Sequence, residues 1–242
     1  ELEGAGSRQG VSCSHGTGSA WEVIMALRAL ITGTSSGIGR EIALKFLSQG
    51  ITVTGLDIKR ESISHPNYSH ILCDIAGDSL PEPLSPYDIL INNAGVQDSG
   101  RDIEINLKGT IRVTEKYAFH EGIKSVLFIS SASGQTGSEF PEYAASKGGV
   151  TAYMKNVALR IAKYGATSNS LSPGGVLTEL NARVINSPEL WKRVMDETLL
   201  EKWASPEEIA EWAYFVCVVN RSMTAQDILI DNGEAAKANF VW

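Results

Sequence analysis

A tyrosine and a lysine with a possible chemical role stand close together in residues 140–148. Tyr143 and Lys147 lie four positions apart, and the residues after them have helical spacing. In a helix, side chains four positions apart share one face. A cationic amine beside a phenol favours the phenolate and lowers the tyrosine pKa from about 10. Such a pair can move a proton to or from a hydroxyl near neutral pH. Because this spacing also arises by chance in many helices, the interpretation needs support from the rest of the chain.

A glycine-rich turn near the start of the chain gives that support. Residues 29–31 are apolar and predict a buried strand, and Gly33, Gly37 and Gly39 follow it before a helical pattern. Glycine here lets the backbone turn sharply and approach a pyrophosphate, which the N–H groups at a helix start can bind. Asp57 ends the next predicted strand, twenty residues after Gly37, where an acid can accept hydrogen bonds from ribose hydroxyls. The unit predicts a dinucleotide site, although its G-x-x-x-G-x-G spacing differs from the G-x-G-x-x-G spacing of the common dinucleotide-binding motif. The alternative is a glycine-rich turn that binds no ligand.

The charges around this turn favour NAD over NADP. Asp57 would repel a 2′-phosphate in a partly dry site. Residues 34–36 contain no arginine or lysine to offset that repulsion. Lys59 and Arg60 follow closely, and their side chains can swing toward a phosphate, so a use of NADP stays open.

Alternating strand and helix patterns place the whole chain in the α/β class. Beyond the first two strands, at residues 29–31 and 51–56, apolar runs predict strands at residues 70–73, 89–91, 126–129, 167–171 and 227–230. Helical periods follow around residues 103–111, 143–161 and 205–216. Connections between parallel strands of this kind are right-handed. The sequence therefore predicts a Rossmann-type, doubly wound, mostly parallel seven-stranded sheet with helices on both faces.

Composition and charge argue against several classes of protein. The 242 residues carry a net charge of -7, whereas nucleic-acid binders usually present a basic face. Three widely spaced cysteines show neither a disulfide framework nor metal-ligand spacing, so we expect free thiols, no metal and a cytoplasmic location. No apolar run approaches the roughly 18 residues of a membrane-spanning helix.

The first residues differ in composition from the rest. Residues 1–24 are rich in Gly and Ser and lack the apolar centre of a secretory signal. Met25 directly precedes the first predicted strand, and the codons of Trp21, Glu22 and Val23 can encode a bacterial ribosome-binding site before it. We therefore predict that residues 1–24 are a translated leader or an added extension, and that residues 25–242 form one dinucleotide-binding catalytic domain. A genuine flexible extension is the alternative.

Further motifs follow the glycine-rich turn in chain order. The complete set is Thr32 with Gly33, Gly37 and Gly39, Asn-Asn-Ala-Gly at residues 92–95, Asn106, Ser131, Tyr143 with Lys147, and Pro173 and Gly174 with Thr178. Together they resemble the short-chain dehydrogenase/reductase family, and the resemblance extends from residue 25 to residue 233. The segments after the second and third strands are shorter than the family's usual pattern, as are residues 95–106 and 131–143. The adenine side of the site is therefore expected to be unusually open.

The resemblance implies roles for these residues. Tyr143 would be the general acid in reduction and the base in oxidation, while Lys147 would hold the nicotinamide ribose and lower the tyrosine pKa. Ser131 would bind the substrate oxygen, and Asn106 would hold a water of a proton relay. Cofactor contacts are implied at Gly33, Ser35, Ser36, Gly37, Ile38, Gly39, Asp57, Asp74, Ile75, Asn92, Ala94, Gly95, Tyr143, Lys147, Pro173, Gly174, Val176 and Thr178.

The function implied is hydride transfer between NAD(H) and a small secondary alcohol or ketone. A non-catalytic NAD-binding sensor or scaffold is the alternative, but such a protein has no use for Ser131, Tyr143 and Lys147. A polyol, a sugar, a 3-oxoacyl thioester or a hydroxysteroid could each be the substrate. Candidate pocket residues are Gln97, Gln135, Thr136, Ser138, Glu139 and Leu180, with the stretch to Trp203 as a possible lid. Family members commonly form dimers or tetramers, so we expect a homodimer or homotetramer, with neither nucleic acid nor a membrane as a partner.

Overall fold

The computed structural model of the chain describes residues 27–236 except residues 78, 84 and 139. The predicted leader and the pocket candidate Glu139 therefore lie outside the described residues. Of the helices that the described residues form, none is both long and apolar enough to cross a membrane.

Seven strands of the described chain form one sheet. They are β1 Arg28–Thr32, β2 Thr52–Asp57, β3 Tyr68–Leu72, β4 Ile89–Asn92, β5 Ser125–Ile129, β6 Thr167–Pro173 and β7 Asp227–Ile230. Their order across the sheet is 3-2-1-4-5-6-7, and every neighbouring pair is parallel. The doubly wound fold is thus confirmed, with a sheet that is parallel throughout. The order reverses between β1 and β4, and in such sheets a crevice forms there beyond the carboxyl ends of the strands.

The helices connect these strands. They are α1 Gly37–Ser48, a π-helix Ile103–Gly109 that continues as α2 Thr110–Tyr117, α3 Ala132–Thr136, α4 Pro141–Ile161, α5 Ala182–Ile185, α6 Pro188–Asp196 and α7 Pro206–Tyr214. Shorter turns are the 3₁₀-helices Ala162–Tyr164 and Glu179–Asn181 and the π-helical Phe215–Val219.

Two apolar clusters, one on each face of the sheet, form the core. Ala29 and Ile31 of β1 belong to the cluster that contains residues of α1 and α7. Leu30 between them belongs to the cluster that contains residues of α2 and α4. Successive side chains of a strand point to opposite faces, so a strand covered on both faces is apolar throughout.

The helix before β5 differs from the prediction. Ile103, Leu107 and Ile111 form the apolar face of the helical period predicted around residues 103–111, and each is only half-buried. Asn106 and Thr110 are buried instead, at 1% and 4% exposure. The first part of this helix is π-helical, and i→i+5 hydrogen bonding widens the turn. The buried positions Asn106 and Thr110 are still four residues apart, but they lie one position before Leu107 and Ile111, so the buried face is displaced by one residue from the apolar one.

Candidate active site

Tyr143 and Lys147 lie at the start of α4, beside the end of β5. Nζ of Lys147 is 5.7 Å from the centroid of the Tyr143 ring and donates a 2.9 Å hydrogen bond to the carbonyl of Ile129, the last residue of β5. Ser130 donates its hydroxyl to the Lys147 carbonyl at 3.0 Å. These bonds fix the predicted proton-transfer pair against the strand end from which Ser131 follows.

Ser131 begins the short helix α3, which was not predicted. Its Oγ accepts a 3.2 Å hydrogen bond from the Ser133 N–H, which makes Ser131 the N-cap of α3. The helix packs closely on α4, since a β-carbon at Gly134 would lie 2.9 Å from the Gly148 nitrogen. Glycine at position 134 thus lets α3 hold Ser131 next to the helix that carries Tyr143.

The amine of Lys147 is buried, and its electrostatic surroundings are mixed. Burial lowers the pKa of Lys147 from 10.5 to about 8, while the carboxylate of Asp102 acts in the opposite direction. Asp102 is itself 1% exposed and accepts hydrogen bonds from the backbone N–H groups of Asp98 and Ser99 at 3.0 and 2.9 Å. The cation of Lys147 is therefore held in a poorly solvated place beside a fixed negative charge.

Asn106 joins the segment after β4 to α4. Its Oδ1 accepts from the N–H of Val96 at 2.8 Å, and its Nδ2 donates to the Val96 carbonyl at 2.9 Å and to the Ser146 hydroxyl at 3.0 Å. Both amide hydrogens are thus used by the protein and are not available to a water in this conformation. A β-carbon at Gly95 would lie 3.1 Å from Oδ1 of Asn106 and 3.6 Å from Nζ of Lys147. Gly95 therefore brings the backbone between two predicted site residues.

The glycine-rich turn is braced by Asn93, which belongs to the Asn-Asn-Ala-Gly motif but was not among the predicted cofactor contacts. Nδ2 of Asn93 donates to the carbonyls of Thr32 and Gly33 at 2.9 and 3.2 Å. The preceding Asn92, which was selected, turns its amide into the core and donates to Oγ1 of Thr114 at 3.0 Å. Adjacent strand residues point to opposite faces, so only one of the two asparagines can face the turn.

The start of α1 has the donors that an anionic group needs. Ser36 occupies the N-cap position but makes no capping hydrogen bond with its side chain, so no side chain from the N-cap satisfies the first N–H groups of the helix. In α7, by contrast, the N-cap Ser205 accepts from the Glu208 N–H at 3.3 Å. The uncapped α1 start fits a pyrophosphate. A cleft of about 540 Å³ adjoins it, lined in part by Gly37 and Thr178.

Asp57 stands at the carboxyl end of β2, as predicted. Its Oδ2 accepts from the Ser35 N–H and its Oδ1 from the Lys59 N–H, each at 2.8 Å. The carboxylate is thereby fixed between the glycine-rich turn and the turn after β2. Each oxygen keeps lone-pair capacity for a further donor, such as a ribose hydroxyl.

The loop after β6 reaches the glycine-rich turn. A β-carbon at Gly37, whose φ is +55°, would lie 3.4 Å from the methyl group of Thr178. Val176 is 3% exposed and anchors the loop, which also donates from the Gly174 N–H to the Ile230 carbonyl at 3.0 Å. The predicted contacts on both sides of the crevice are therefore close together.

The remaining predicted cofactor contacts have mixed surroundings. The Asp74 carboxylate accepts from the Ala76 N–H at 2.9 Å, while Ile75 is buried. Ile38 packs against the core cluster on the α1 face, and the Ala94 N–H is used by Oγ1 of Thr32. In the part of the chain that the structure describes, no group of three His, Cys, Asp or Glu side chains could hold a metal ion.

Comparison with known proteins gives one family. A family model described as enoyl-(acyl carrier protein) reductase matches residues 33–234. The 7alpha-hydroxysteroid dehydrogenase of Escherichia coli K12 is 26% identical over 236 residues, which cover 85% of this chain and 92% of that protein. A crystal structure from Agrobacterium tumefaciens with bound NADP has a TM-score of 0.79 at 24% identity and covers 88% of this chain and 97% of that chain. The structure of the 3-ketoacyl-(acyl-carrier-protein) reductase of Brucella melitensis with NADH has a TM-score of 0.75 at 22% identity, and the match covers 88% of this chain and 99% of that chain.

Proposed function

This chain belongs to the short-chain dehydrogenase/reductase family of oxidoreductases, and from that premise we propose that it transfers a hydride between NAD(H) and a secondary alcohol or ketone. The observation that carries the proposal is the pair of Tyr143 and Lys147 on α4, with the lysine amine 5.7 Å from the tyrosine ring. A pair held in this way can exchange a proton with a substrate oxygen.

Each residue of the pair has a separate task. Tyr143 donates a proton to the carbonyl oxygen in reduction and removes one from the hydroxyl in oxidation. The cation of Lys147 favours the phenolate form of the tyrosine, and below its pKa of about 8 the amine is mostly protonated. Ser131 is 7% exposed, and its hydroxyl hydrogen can bind the substrate oxygen. When bound, the nicotinamide supplies or accepts the hydride.

Asp57 supports NAD as the preferred cofactor. The Agrobacterium tumefaciens structure holds NADP and the Brucella melitensis structure holds NADH, so the fold accommodates either dinucleotide. The charges near the adenosine ribose therefore decide which of the two binds more tightly. The fixed carboxylate of Asp57 suits a ribose diol and repels a 2′-phosphate. Lys59 and Arg60 are exposed, so their charges are screened by solvent.

The test begins with a panel of secondary alcohols and ketones, followed by the absorbance of the reduced nicotinamide with NAD(H) and NADP(H). With the best substrate, Tyr143→Phe should lower turnover by about 10² or more and leave NAD affinity within a few-fold. Tyr153→Phe is a matched control, because Tyr153 lies on the same helix and bonds the Glu115 carboxylate instead. Its turnover should be unchanged.

Three results would contradict parts of the proposal. Near-full turnover by Tyr143→Phe would remove the tyrosine from the mechanism. Tight NAD binding with no turnover of any panel member would favour a sensor or scaffold. A higher catalytic efficiency with NADP would refute the cofactor assignment to Asp57.

A further inference from the structure

A chain of side-chain hydrogen bonds connects the glycine-rich turn to the turn after β2. Oγ1 of Thr34 lies 2.9 Å from the hydroxyl of Tyr68. That hydroxyl lies 2.9 Å from Nδ1 of His70, and Nε2 of His70 lies 2.9 Å from the carbonyl oxygen of Lys59. Tyr68 and His70 are residues of β3, the edge strand next to β2. No motif of the family resemblance includes either of them.

A glycine inside β2 leaves room for this chain. A β-carbon at Gly55 would lie 2.2 Å from Oγ1 of Thr34 and 2.3 Å from the Tyr68 hydroxyl. A glycine in a strand interior weakens the strand and often marks a close approach of other groups. Here the groups that approach are two members of the hydrogen-bond chain.

The direction of the chain follows from its last acceptor. The carbonyl of Lys59 can only accept, so Nε2 of His70 carries the hydrogen. In the neutral imidazole Nδ1 then accepts, and Tyr68 donates to it. The hydroxyl hydrogen of Thr34 must therefore point to Tyr68.

The tyrosine hydroxyl keeps the proton that this arrangement needs. Burial raises the pKa of Tyr68 above the usual value for a phenol, and the charges of Asp57 and Glu61 act in the same direction. The hydrogen bond with Thr34 acts against them. The phenol is thus neutral at pH 7 and donates to His70.

The chain ends on the residue that orients Asp57. The Lys59 N–H donates to Oδ1 of Asp57 at 2.8 Å, and the Lys59 carbonyl accepts from His70 and also from Oγ of Ser35 at 3.3 Å. The other carboxylate oxygen is held by the Ser35 N–H. The direction of the carboxylate therefore depends on the spacing of two turns, and the chain through Tyr68 and His70 holds that spacing.

We propose that Tyr68 and His70 are positioning residues that hold Asp57 toward the adenosine ribose of the dinucleotide, and that they thereby set its preference for NAD over NADP. The inference rests on the proposed function, because it assigns the ribose to Asp57. Loss of these hydrogen bonds would let the turn at Lys59 move, and the carboxylate of Asp57 would then bind the ribose diol less well. It would also repel a 2′-phosphate less strongly.

Calorimetric titration of the full chain with NAD and with NADP tests the inference without any turnover. Tyr68→Phe and His70→Ala should each raise the Kd for NAD about five- to tenfold, the range expected for a lost hydrogen bond. The Kd for NADP should rise less, so the NADP/NAD ratio of Kd values should fall at least threefold. His70→Gln keeps a donor and an acceptor and should recover most of the NAD affinity.

Ser69→Ala is the matched control. Ser69 lies between the two residues on β3, and its hydroxyl bonds Oγ1 of Thr54 at 3.2 Å rather than the turn after β2. Its Kd values should stay within twofold of the unaltered protein. Melting temperatures of all variants show whether each one folds, and Tyr68→Phe retains the packing of the ring.

The outcomes separate this inference from the proposed function. NAD binding within twofold of the unaltered protein by both Tyr68→Phe and His70→Ala overturns the inference and leaves the function standing. An equal loss of NAD and NADP affinity, with an unchanged ratio of the two Kd values, would mean that the two residues only support the fold, and it would also overturn the inference. If the unaltered protein binds neither dinucleotide, the function and the inference both fail.

Discussion

The buried charge of Lys147 should lower the free energy of unfolding at neutral pH. The fall in its pKa from 10.5 to about 8 is worth about 3 kcal/mol, at about 1.4 kcal/mol for each pKa unit. The unfolded chain holds this proton more tightly than the folded chain, so the charged amine costs the folded state that free energy at neutral pH. Between about pH 8 and pH 10.5 the unfolded chain still binds a proton that the folded chain has released. Stability therefore rises with pH across that window.

The substitution Lys147→Met removes the charge and keeps the length of the side chain. It also removes the hydrogen bond to the Ile129 carbonyl, a loss of about 1 kcal/mol. We therefore expect the variant to be more stable than the unaltered protein by about 2 kcal/mol at pH 7. Near pH 10 the folded amine is neutral while the unfolded amine is still largely protonated, so the remaining cost of burying the charge falls below about 1 kcal/mol. The lost hydrogen bond offsets that remainder, and the gain should disappear.

Urea denaturation of the unliganded protein at both pH values measures these differences. Lys155→Met is the matched control, because Lys155 is exposed on the same helix and should change stability by less than about 0.5 kcal/mol. If Lys147→Met is the less stable protein at pH 7 while Lys155→Met is unchanged, the contacts of the amine outweigh its burial. The reasoning would then be wrong.

Three further outcomes are expected. Gly39→Ala should lower the melting temperature and abolish NAD binding, because its β-carbon would lie 2.1 Å from the Gly33 carbonyl oxygen; normal NAD affinity by calorimetry would contradict this. Asn106→Ala should destabilise the fold by about 3 kcal/mol in urea denaturation, since it leaves the N–H and the carbonyl of Val96 unpaired and removes a hydrogen bond to Ser146. Hydrogen exchange at the Val96 N–H should become faster, and unchanged exchange would refute that role. Light scattering at micromolar concentration should show a homodimer or homotetramer, and a monomer mass would exclude both.

The central strands could be predicted from the sequence because their pattern and their burial agree. The predictions for β4 and β5 were residues 89–91 and 126–129, and each matches the structure to within one residue. Strands inside a parallel sheet are apolar on both faces, so an apolar run between turn residues marks them. The helical period predicted over residues 205–216 also matches the start of α7, where Ser205 and Glu208 form a complete capping box.

The edge strand β3 and the buried face of the helix that follows β4 could not be predicted as well. β3 begins at Tyr68, two residues before the prediction, and carries half-buried or exposed side chains that no apolar pattern reveals. The helix that begins with the π-helical Ile103–Gly109 was located by its period, but its buried side chains at Asn106 and Thr110 are polar, so an apolar pattern does not mark its buried face. Buried Asn106 belongs to the core through its hydrogen bonds rather than through apolar character.

Within the candidate site, motifs indicate the side chains with chemistry but not the groups that hold them. Lys147 needs an acceptor in a poorly solvated place, and it finds the carbonyl of Ile129. Every residue has such a carbonyl, so no sequence pattern can mark this one. A buried amine without an acceptor would be strongly disfavoured, so the end of β5 has to stay in register with α4. The proton-transfer pair therefore depends on the alignment of β5 with α4, and that alignment is set by the packing of the core.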